Sequence, residues 1–228
     1  MIIAIDGPSG AGKSTLGKML AKELGLLYLD TGAMYRAVGL AVFESGKDFY
    51  DPETVIEIAR HSQIELVGEP ENLQILLNGR DVSHDIRANE VGQMASIVST
   101  ISEVRKTLVE HQRELGENSA NGAVLDGRDI GTVVFPNADV KFFLTAKPEA
   151  RARRRYEEDL GKGRATTYET TLAEINLRDD RDVSRADSPL TISDDAVVID
   201  TSELDLTEVF EQMMSVVRER QQAKYETS

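Results

Sequence analysis

Residues 7–14, Gly7-Pro8-Ser9-Gly10-Ala11-Gly12-Lys13-Ser14, follow the pattern G-x-x-x-x-G-K-[ST]. This pattern constrains the fold more than any other feature, because it works only between a buried strand and the first turn of a helix. The apolar run at residues 2–5 supplies the strand. Leu16, Met19, Leu20 and Leu24 then recur at helical spacing, and Gly25 stands where that helix should stop. The glycines let the backbone curl so that successive N–H groups converge on one anion. Lys13 brings mobile positive charge toward the β- and γ-phosphates, and the Ser14 hydroxyl can ligate Mg²⁺. Thr15 extends the row of donors at the helix N-terminus. The stretch from Gly7 to Thr15 is therefore the candidate triphosphate site, with Ser14 as its candidate metal ligand.

The rest of the chain continues the strand–helix alternation. A second strand is expected at 26–29, ending at Asp30, with Thr31 as N-cap of a helix that carries Met34, Val38 and Val42. The middle changes character. Residues 64–67 and 73–77 read as short strands joined by a polar turn at 68–72, and Asn78-Gly79 is a tight-turn signal leading to a third near Val82. This predicts a small antiparallel sheet inserted at about 60–85. Helices are expected at 90–98 and 103–115, the second opened by a capping box of Thr100 and Glu103. Strands follow at 123–125, 140–144 and 196–199, and a last helix sets Val209, Met213 and Val216 on one face. Five short apolar strands alternating with helices predict an α/β fold with a doubly wound, five-stranded parallel sheet. Only the last few residues look frayed.

Composition narrows the setting. The chain has 228 residues, 40% of them apolar and 29% charged, so one domain with an insert is expected over 1–228. It has no cysteine, which excludes disulfides and thiolate metal sites and suits a reducing cytoplasm. The N-terminus lacks a basic leader, and no apolar run approaches the roughly 20 residues of a membrane span. A cytoplasmic monomer without a membrane partner is the expectation. A net charge of −14 argues against a nucleic acid polymer as ligand. The arginines are nevertheless clustered, at Arg151, Arg153, Arg154 and Arg155 and again at Arg178, Arg181 and Arg185. Local arginines in an acidic chain suit a small anion held in a cleft.

Among triphosphate-binding classes, a GTPase needs an N-K-x-D segment and a transporter ATPase a signature such as L-S-G-G-Q, and neither occurs. A kinase remains, and it needs a second anion site for its acceptor. Three segments fit that need: Asp30-Thr31-Gly32-Ala33-Met34-Tyr35-Arg36, Asp126-Gly127-Arg128-Asp129-Ile130-Gly131-Thr132-Val133-Val134, and Arg178-Asp179-Asp180-Arg181-Asp182. With the P-loop, they resemble the bacterial cytidylate kinases in order and spacing across nearly the whole chain. The insert near 60–85 is similar to that of the family's acceptor-binding region, which would span about 31–100.

The resemblance implies transfer of the ATP γ-phosphoryl group to CMP or dCMP, with Mg²⁺. A kinase of another monophosphate, such as UMP or AMP, is the alternative within the class; a regulatory or RNA-associated ATPase is one outside it. Thr31, Tyr35 and Arg36 would meet the acceptor's phosphate, Arg36 directly, although a capped helix with one solvated arginine reads equally well from the residues alone. The resemblance gives Arg128 to the same phosphate and Asp129 to cytosine, whose exocyclic amino group can donate to a carboxylate where uracil carries a carbonyl. Ser96 and Arg105 match the family's other base contacts; without it they read as helix-surface residues. Arg178, Arg181, Asp182 and Arg185 fall at offsets that put all four on one helix face. A salt-bridged surface is the plain reading of that face. The resemblance places Asp182 on the acceptor's sugar and Arg178 and Arg185 near the phosphates, and leaves Arg181 without a role. Arg151 to Arg155, followed by Gly161-Lys162-Gly163, reads as a lid over about 150–168. Spacing does not select its inward arginine; Arg154 is the choice. The candidate catalytic set is thus Lys13, Arg128, Arg154 and Arg185. Asp126 could hold a water of Mg²⁺ or be a structural carboxylate. His61, His84 and His111 are scattered and receive no role.

Overall fold

The apolar run at the N-terminus becomes strand β1 (Ile2–Asp6), in which every residue after Ile2 is buried. The computed structural model describes residues 1–226, with side chains through residue 223. After β1 come α1 (Lys13–Leu24), β2 (Leu27–Asp30), α2 (Thr31–Ser45), α3 (Pro52–His61), β3 (Ile64–Val67), β4 (Gln74–Leu77) and β5 (Arg80–Asp81). The chain continues through α4 (Asn89–Val98), α5 (Ser102–Glu117), β6 (Ala123–Gly127), β7 (Val140–Thr145), α6 (Pro148–Gly161), α7 (Tyr168–Ser184), β8 (Val197–Asp200) and α8 (Leu206–Glu226). A 3-10 turn, Asp85–Arg87, leads from β5 toward α4, and a π-helical turn, Ile130–Val134, follows β6.

Five strands form a parallel sheet in the order β2-β6-β1-β7-β8. Ile3 of β1 faces Val140 of β7, and Phe142 of β7 faces Val197 of β8, both pairings parallel. The strands are short and apolar because helices cover both faces of such a sheet. The expected α/β class and strand number are therefore observed. Of the last few residues, where fraying is expected, 227 and 228 lie outside the described residues. Among the described residues, no helix is long and apolar enough to cross a membrane.

Two compact units divide the chain, one made of Met1–Leu20 and the residues from Asp126 onward, the other of Ala21–Leu125. In the first, the P-loop leaves β1 so close to β7 that a Cβ on Gly7, whose φ is +142°, would lie 1.9 Å from the Leu144 carbonyl oxygen. Only glycine fits there. In α8, Val209 and Met213 are buried as expected, with Met214 and Val217 beside them, while Val216 is only half-buried, so the face closes on Val217 instead.

The second unit packs Met34, Val38 and Leu40 of α2 against Ile75, Leu77, Val82, Ile86, Val98 and Leu108. The inserted sheet is antiparallel, β3-β4-β5, with Ile64 opposite Leu77. Asn78 (φ +51°) and Gly79 (φ +78°) make its turn, both left-handed as a two-residue type I′ hairpin requires. The third strand is Arg80–Asp81, and Val82 beside it is fully buried core instead. Helix α3 has no counterpart in the sequence expectation. Pro52 in its first turn, Glu53 beside it, and buried Val55 and Ala59 four apart explain why it forms.

Two caps differ from expectation. Asp30, not Thr31, caps α2: its carboxylate accepts from the Ala33 N–H at 2.8 Å, and Thr31 is already helical. The Asp30 side chain reaches the third amide of the helix, and so removes the need for the threonine. At α5, Thr100 and Glu103 form no capping box. The Thr100 hydroxyl donates back to the Ile97 carbonyl at 2.7 Å, and Glu103 pairs with Arg60 at 3.4 Å. Ile101 takes the cap position with no side-chain hydrogen bond.

Candidate active site

The P-loop sits between β1 and α1, and Lys13 is buried at its end, 6% exposed. Its ammonium donates to the Pro8 carbonyl at 2.7 Å. Burial, then the Arg128 guanidinium, hold its pKa down at about 7; Arg178 acts the same way, and Asp126 and Asp182 oppose them. The Ser14 hydroxyl donates to the Asp126 carboxylate at 2.7 Å. Asp126 lies in β6 and is buried. A hydroxyl and a carboxylate facing each other are hard oxygen ligands and fit a divalent cation shared with phosphates.

Asp6, the last residue of β1, accepts from the Ile130 and Gly131 N–H groups at 2.8 and 2.7 Å. Burial pushes its pKa up to about 6, against the pull of those two amides. It pins the turn that follows Arg128 and Asp129. Asp129 itself is 5% exposed, and its carbonyl accepts from the Val133 and Val134 N–H groups. Thr132 in the same turn has a buried hydroxyl with no hydrogen-bond partner.

Arg128 donates through Nε to Asp182 at 2.6 Å, with both side chains largely buried. Burial would raise the Asp182 pKa, but the charges of Arg128, Arg178 and Arg185 and the Arg128 hydrogen bond hold it below the usual carboxylate value. Arg178, Arg181 and Asp182 lie on α7, but Arg185 does not. The helix ends at Ser184, and Arg185 is extended (φ −64°, ψ 142°) with its Nε donating to the Ser188 carbonyl at 2.7 Å. The expected single face of four residues thus loses its last member, although the Arg185 charge still reaches Asp182.

The arginines of α6 point in different directions. Arg151 is 3% exposed and grips Asp179 of α7 through both terminal nitrogens, at 3.1 and 2.6 Å. It also donates to the Ala146 and Ser9 carbonyls at 2.8 and 3.1 Å. Arg153 lies over the Tyr168 ring at 5.5 Å. Arg154 donates to the Thr201 hydroxyl at 3.1 Å and to its carbonyl, and Thr201 in turn donates to the Ala11 carbonyl of the P-loop at 3.3 Å. Arg155 is 3.9 Å from Asp159, which also receives Arg164 at 2.9 Å.

In the other unit, α2 presents Thr31, buried, with Tyr35 and Arg36 half-buried. Arg36 donates to the Ile86 carbonyl at 2.8 Å. Arg105 of α5 is 3% exposed, its guanidinium 5.6 Å from the centre of the Tyr35 ring. Ser96 of α4 is 7% exposed, and its hydroxyl has no hydrogen-bond partner. The helix-surface reading of Ser96 and Arg105 therefore fails: both are buried, and a buried hydroxyl left open is what a site for a polar ligand leaves behind. His61 and His84 are exposed, as expected of residues without a role, while His111 is half-buried.

Asp6, Asp179 and the bracket made by Arg151 were not singled out from sequence. For Asp6 a signal exists, since a carboxylate closing an apolar strand directly before a P-loop must find buried partners. Asp179 carries no such mark within a helix rich in charge.

Comparison with known proteins follows the same lines. A family model described as cytidylate kinase matches residues 3–219. A cytidylate kinase of Caldanaerobacter subterraneus subsp. tengcongensis is 51% identical over 216 residues, covering 95% of this chain and 94% of that one. One of Bacillus subtilis (strain 168) is 44% identical over 218 residues, covering 96% of each. Among solved structures, an uncharacterized protein from Eubacterium ventriosum aligns with a TM-score of 0.50 at 14% identity, over 96% of this chain and 98% of that one. That likeness bears on the fold alone.

Proposed function

The chain belongs to the cytidylate kinase family, and from that premise we propose that it transfers the γ-phosphoryl group of ATP to CMP or dCMP, releasing ADP and CDP or dCDP. The observation that carries the reading is a chain of side-chain contacts from the P-loop to the groups assigned to the acceptor. Ser14 donates to Asp126, two residues before Arg128, and Arg128 donates to Asp182 of α7, a helix that Arg151 ties back to the Ser9 carbonyl of the P-loop.

In this reading no side chain becomes a nucleophile. An oxygen of the CMP phosphate forms the new bond to Pγ as the bond from Pγ to the ADP oxygen breaks, and the electron pair leaves on ADP. Catalysis of this kind is positioning plus positive charge on the transferring group. The P-loop amides from Gly7 to Thr15 receive the ATP phosphates, and Lys13 exchanges the Pro8 carbonyl for a phosphate oxygen. Ser14 and Asp126 would hold Mg²⁺, which adds positive charge at the β- and γ-phosphates when bound. Arg128 and Arg36 bind the acceptor's phosphate, with Arg178, Arg185 and Arg154 supplying charge as the group transfers. Thr31 and Tyr35 frame the start of α2. Asp182 takes the sugar, and Asp129, Ser96 and Arg105 read the base. The acceptor-binding region corresponds to about 31–100 and the lid to about 150–168 of a single kinase domain.

Coupled assays with ATP and CMP, dCMP, UMP, AMP or GMP test the assignment. CMP and dCMP should turn over faster than the other three; equal rates would sink it. Asp129→Ala should reduce selectivity for cytosine over uracil by at least about tenfold while leaving the KM for ATP near its wild-type value. Equal loss on both sides would remove Asp129 from base reading.

A further inference from the structure

The 3-10 turn Asp85–Arg87 that follows the inserted sheet holds Arg36, and a run of backbone hydrogen bonds ties that turn to β4. Val82 donates its N–H to the Ile75 carbonyl of β4 at 2.8 Å, and Ile86 donates its N–H to the Val82 carbonyl at 3.0 Å. The Ile86 carbonyl then accepts from Arg36 at 2.8 Å. Ile75, Val82 and Ile86 are all at most 1% exposed, so the relay runs through the core and its last acceptor is fixed in place. A buried carbonyl has limited freedom to follow a moving guanidinium.

A glycine packs against the same guanidinium. A Cβ at position 92 in α4 would lie 3.0 and 3.1 Å from the two terminal guanidinium nitrogens and 3.3 Å from the carbon between them. Helices α2 and α4 cross tightly here: a Cβ on Gly39, one turn beyond Arg36, would come within 2.9 Å of the Ala95 N–H nitrogen. Arg36 and Gly39 are three apart on α2, as Gly92 and Ala95 are on α4, so two matched positions meet along one seam. Gly92 has an ordinary helical backbone and is not among the glycines with positive φ. Its lack of a side chain therefore answers a need for space, not for conformation.

We infer that Gly92 and the Ile86 carbonyl form a seat for the Arg36 guanidinium, so that the inserted sheet and α4 act as positioning elements for the acceptor's phosphate. The inference rests on the reading of Arg36 as a ligand of that phosphate. Neither Gly92 nor Ile86 touches substrate; both act through Arg36. The seat also gives the insert a purpose in the reaction beyond its contribution to the core.

Gly92→Ala separates this role from a structural one, because the two predict opposite outcomes. Alanine is the better helix former, so a glycine kept only for the helix would, once replaced, give a chain as stable or more stable with unchanged kinetics. A glycine kept for Arg36 gives a raised KM for CMP, since the added methyl shifts a guanidinium that is tied to Ile86. The experiment compares wild type, Gly92→Ala, Arg36→Ala and the double variant, with KM for CMP, KM for ATP, kcat and Tm measured for each. Gly92→Ala should raise the KM for CMP about tenfold, the size expected for one displaced charge-assisted hydrogen bond, with KM for ATP at its wild-type value and any loss of Tm confined to the background that keeps Arg36. In the Arg36→Ala background the same change should have no further effect. A wild-type KM for CMP in Gly92→Ala, or an equal loss in both backgrounds, would overturn the inference. Failure of Gly92→Ala to fold in both backgrounds would overturn it too, whereas failure only with Arg36 present would support it. Arg36→Ala with an unchanged KM for CMP would instead sink the phosphate-ligand reading on which the seat depends.

Discussion

At the residue scale, the site is organised by which charges are buried and what each one meets. Asp182 stays ionised because Arg128 is hydrogen-bonded to it at 2.6 Å and two further arginines add their charges. Asp6 meets two backbone amides and the charge of Lys13, but burial, helped by the charge of Asp129, outweighs them, so its pKa rises from 3.8 to about 6. The fold therefore binds the Asp6 proton more tightly than the unfolded chain does. The stability this group contributes is fully present below pH 3.8 and is lost as the pH rises through about 6. Asp6→Asn keeps the shape but cannot ionise. Its unfolding free energy, measured in urea across this range, should gain on the order of 3 kcal/mol relative to wild type between acid and neutral pH. A difference between the two proteins that does not change with pH would mean that the amides, not burial, govern Asp6.

At the element scale, α6, α7 and the P-loop share one side chain. Arg151 starts on α6, grips Asp179 on α7 and donates to the Ser9 carbonyl. A Cβ on Gly10 would lie 3.2 Å from the Arg151 Cβ, so the loop rests directly on this residue. The helix that carries Arg178 and Asp182 is thereby tied to the loop that carries Lys13. Asp179→Ala would leave the guanidinium, 3% exposed, without its carboxylate, while Asp179 itself is 21% exposed and open to some water. The expected loss is about 3 kcal/mol of stability, the lower end of the range for a broken buried pair because of that water. The KM for ATP should rise several-fold with it, as the Ser9 carbonyl loses a fixed donor. Stability lost with the KM for ATP unchanged would show that the pair braces the helices alone.

At the scale of the whole molecule, a chain with a net charge of −14 buries Arg105 and Arg151, so anion binding rests on where the arginines are placed and not on the overall charge. A ligand that binds only the folded chain adds about 2.7 kcal/mol at a hundredfold excess over its Kd. For a chain of 228 residues that corresponds to a rise in Tm of about 5–10 °C. The chain has no tryptophan, so far-UV circular dichroism is the suitable reading. CMP should produce the full rise, and AMP and GMP at the same concentration should produce little. Similar rises for all three would mean that the site reads phosphate and not the base.

What the sequence determined by itself is the local grammar of the fold: the strand–loop–helix around Lys13, the alternation that makes a parallel sheet, and the hairpin at Asn78-Gly79. Each depends on residues a few positions apart, through apolar period, glycine's freedom at positive φ, and donors converging on one anion. The tertiary structure alone decided what the long side chains meet. Arg151 and Arg154 look alike in sequence, yet one is locked to Asp179 and the other rests on Thr201. Ser96 and Arg105 look like surface residues and are buried. Arg185 keeps helical spacing and leaves the helix. In each case the partner lies on backbone brought near by folding, or depends on how tightly neighbouring helices pack, and no pattern of nearby residues encodes that. The P-loop could thus be read from its own residues, while the seat of Arg36 could be seen only once Ile86 and Gly92 had been folded against it.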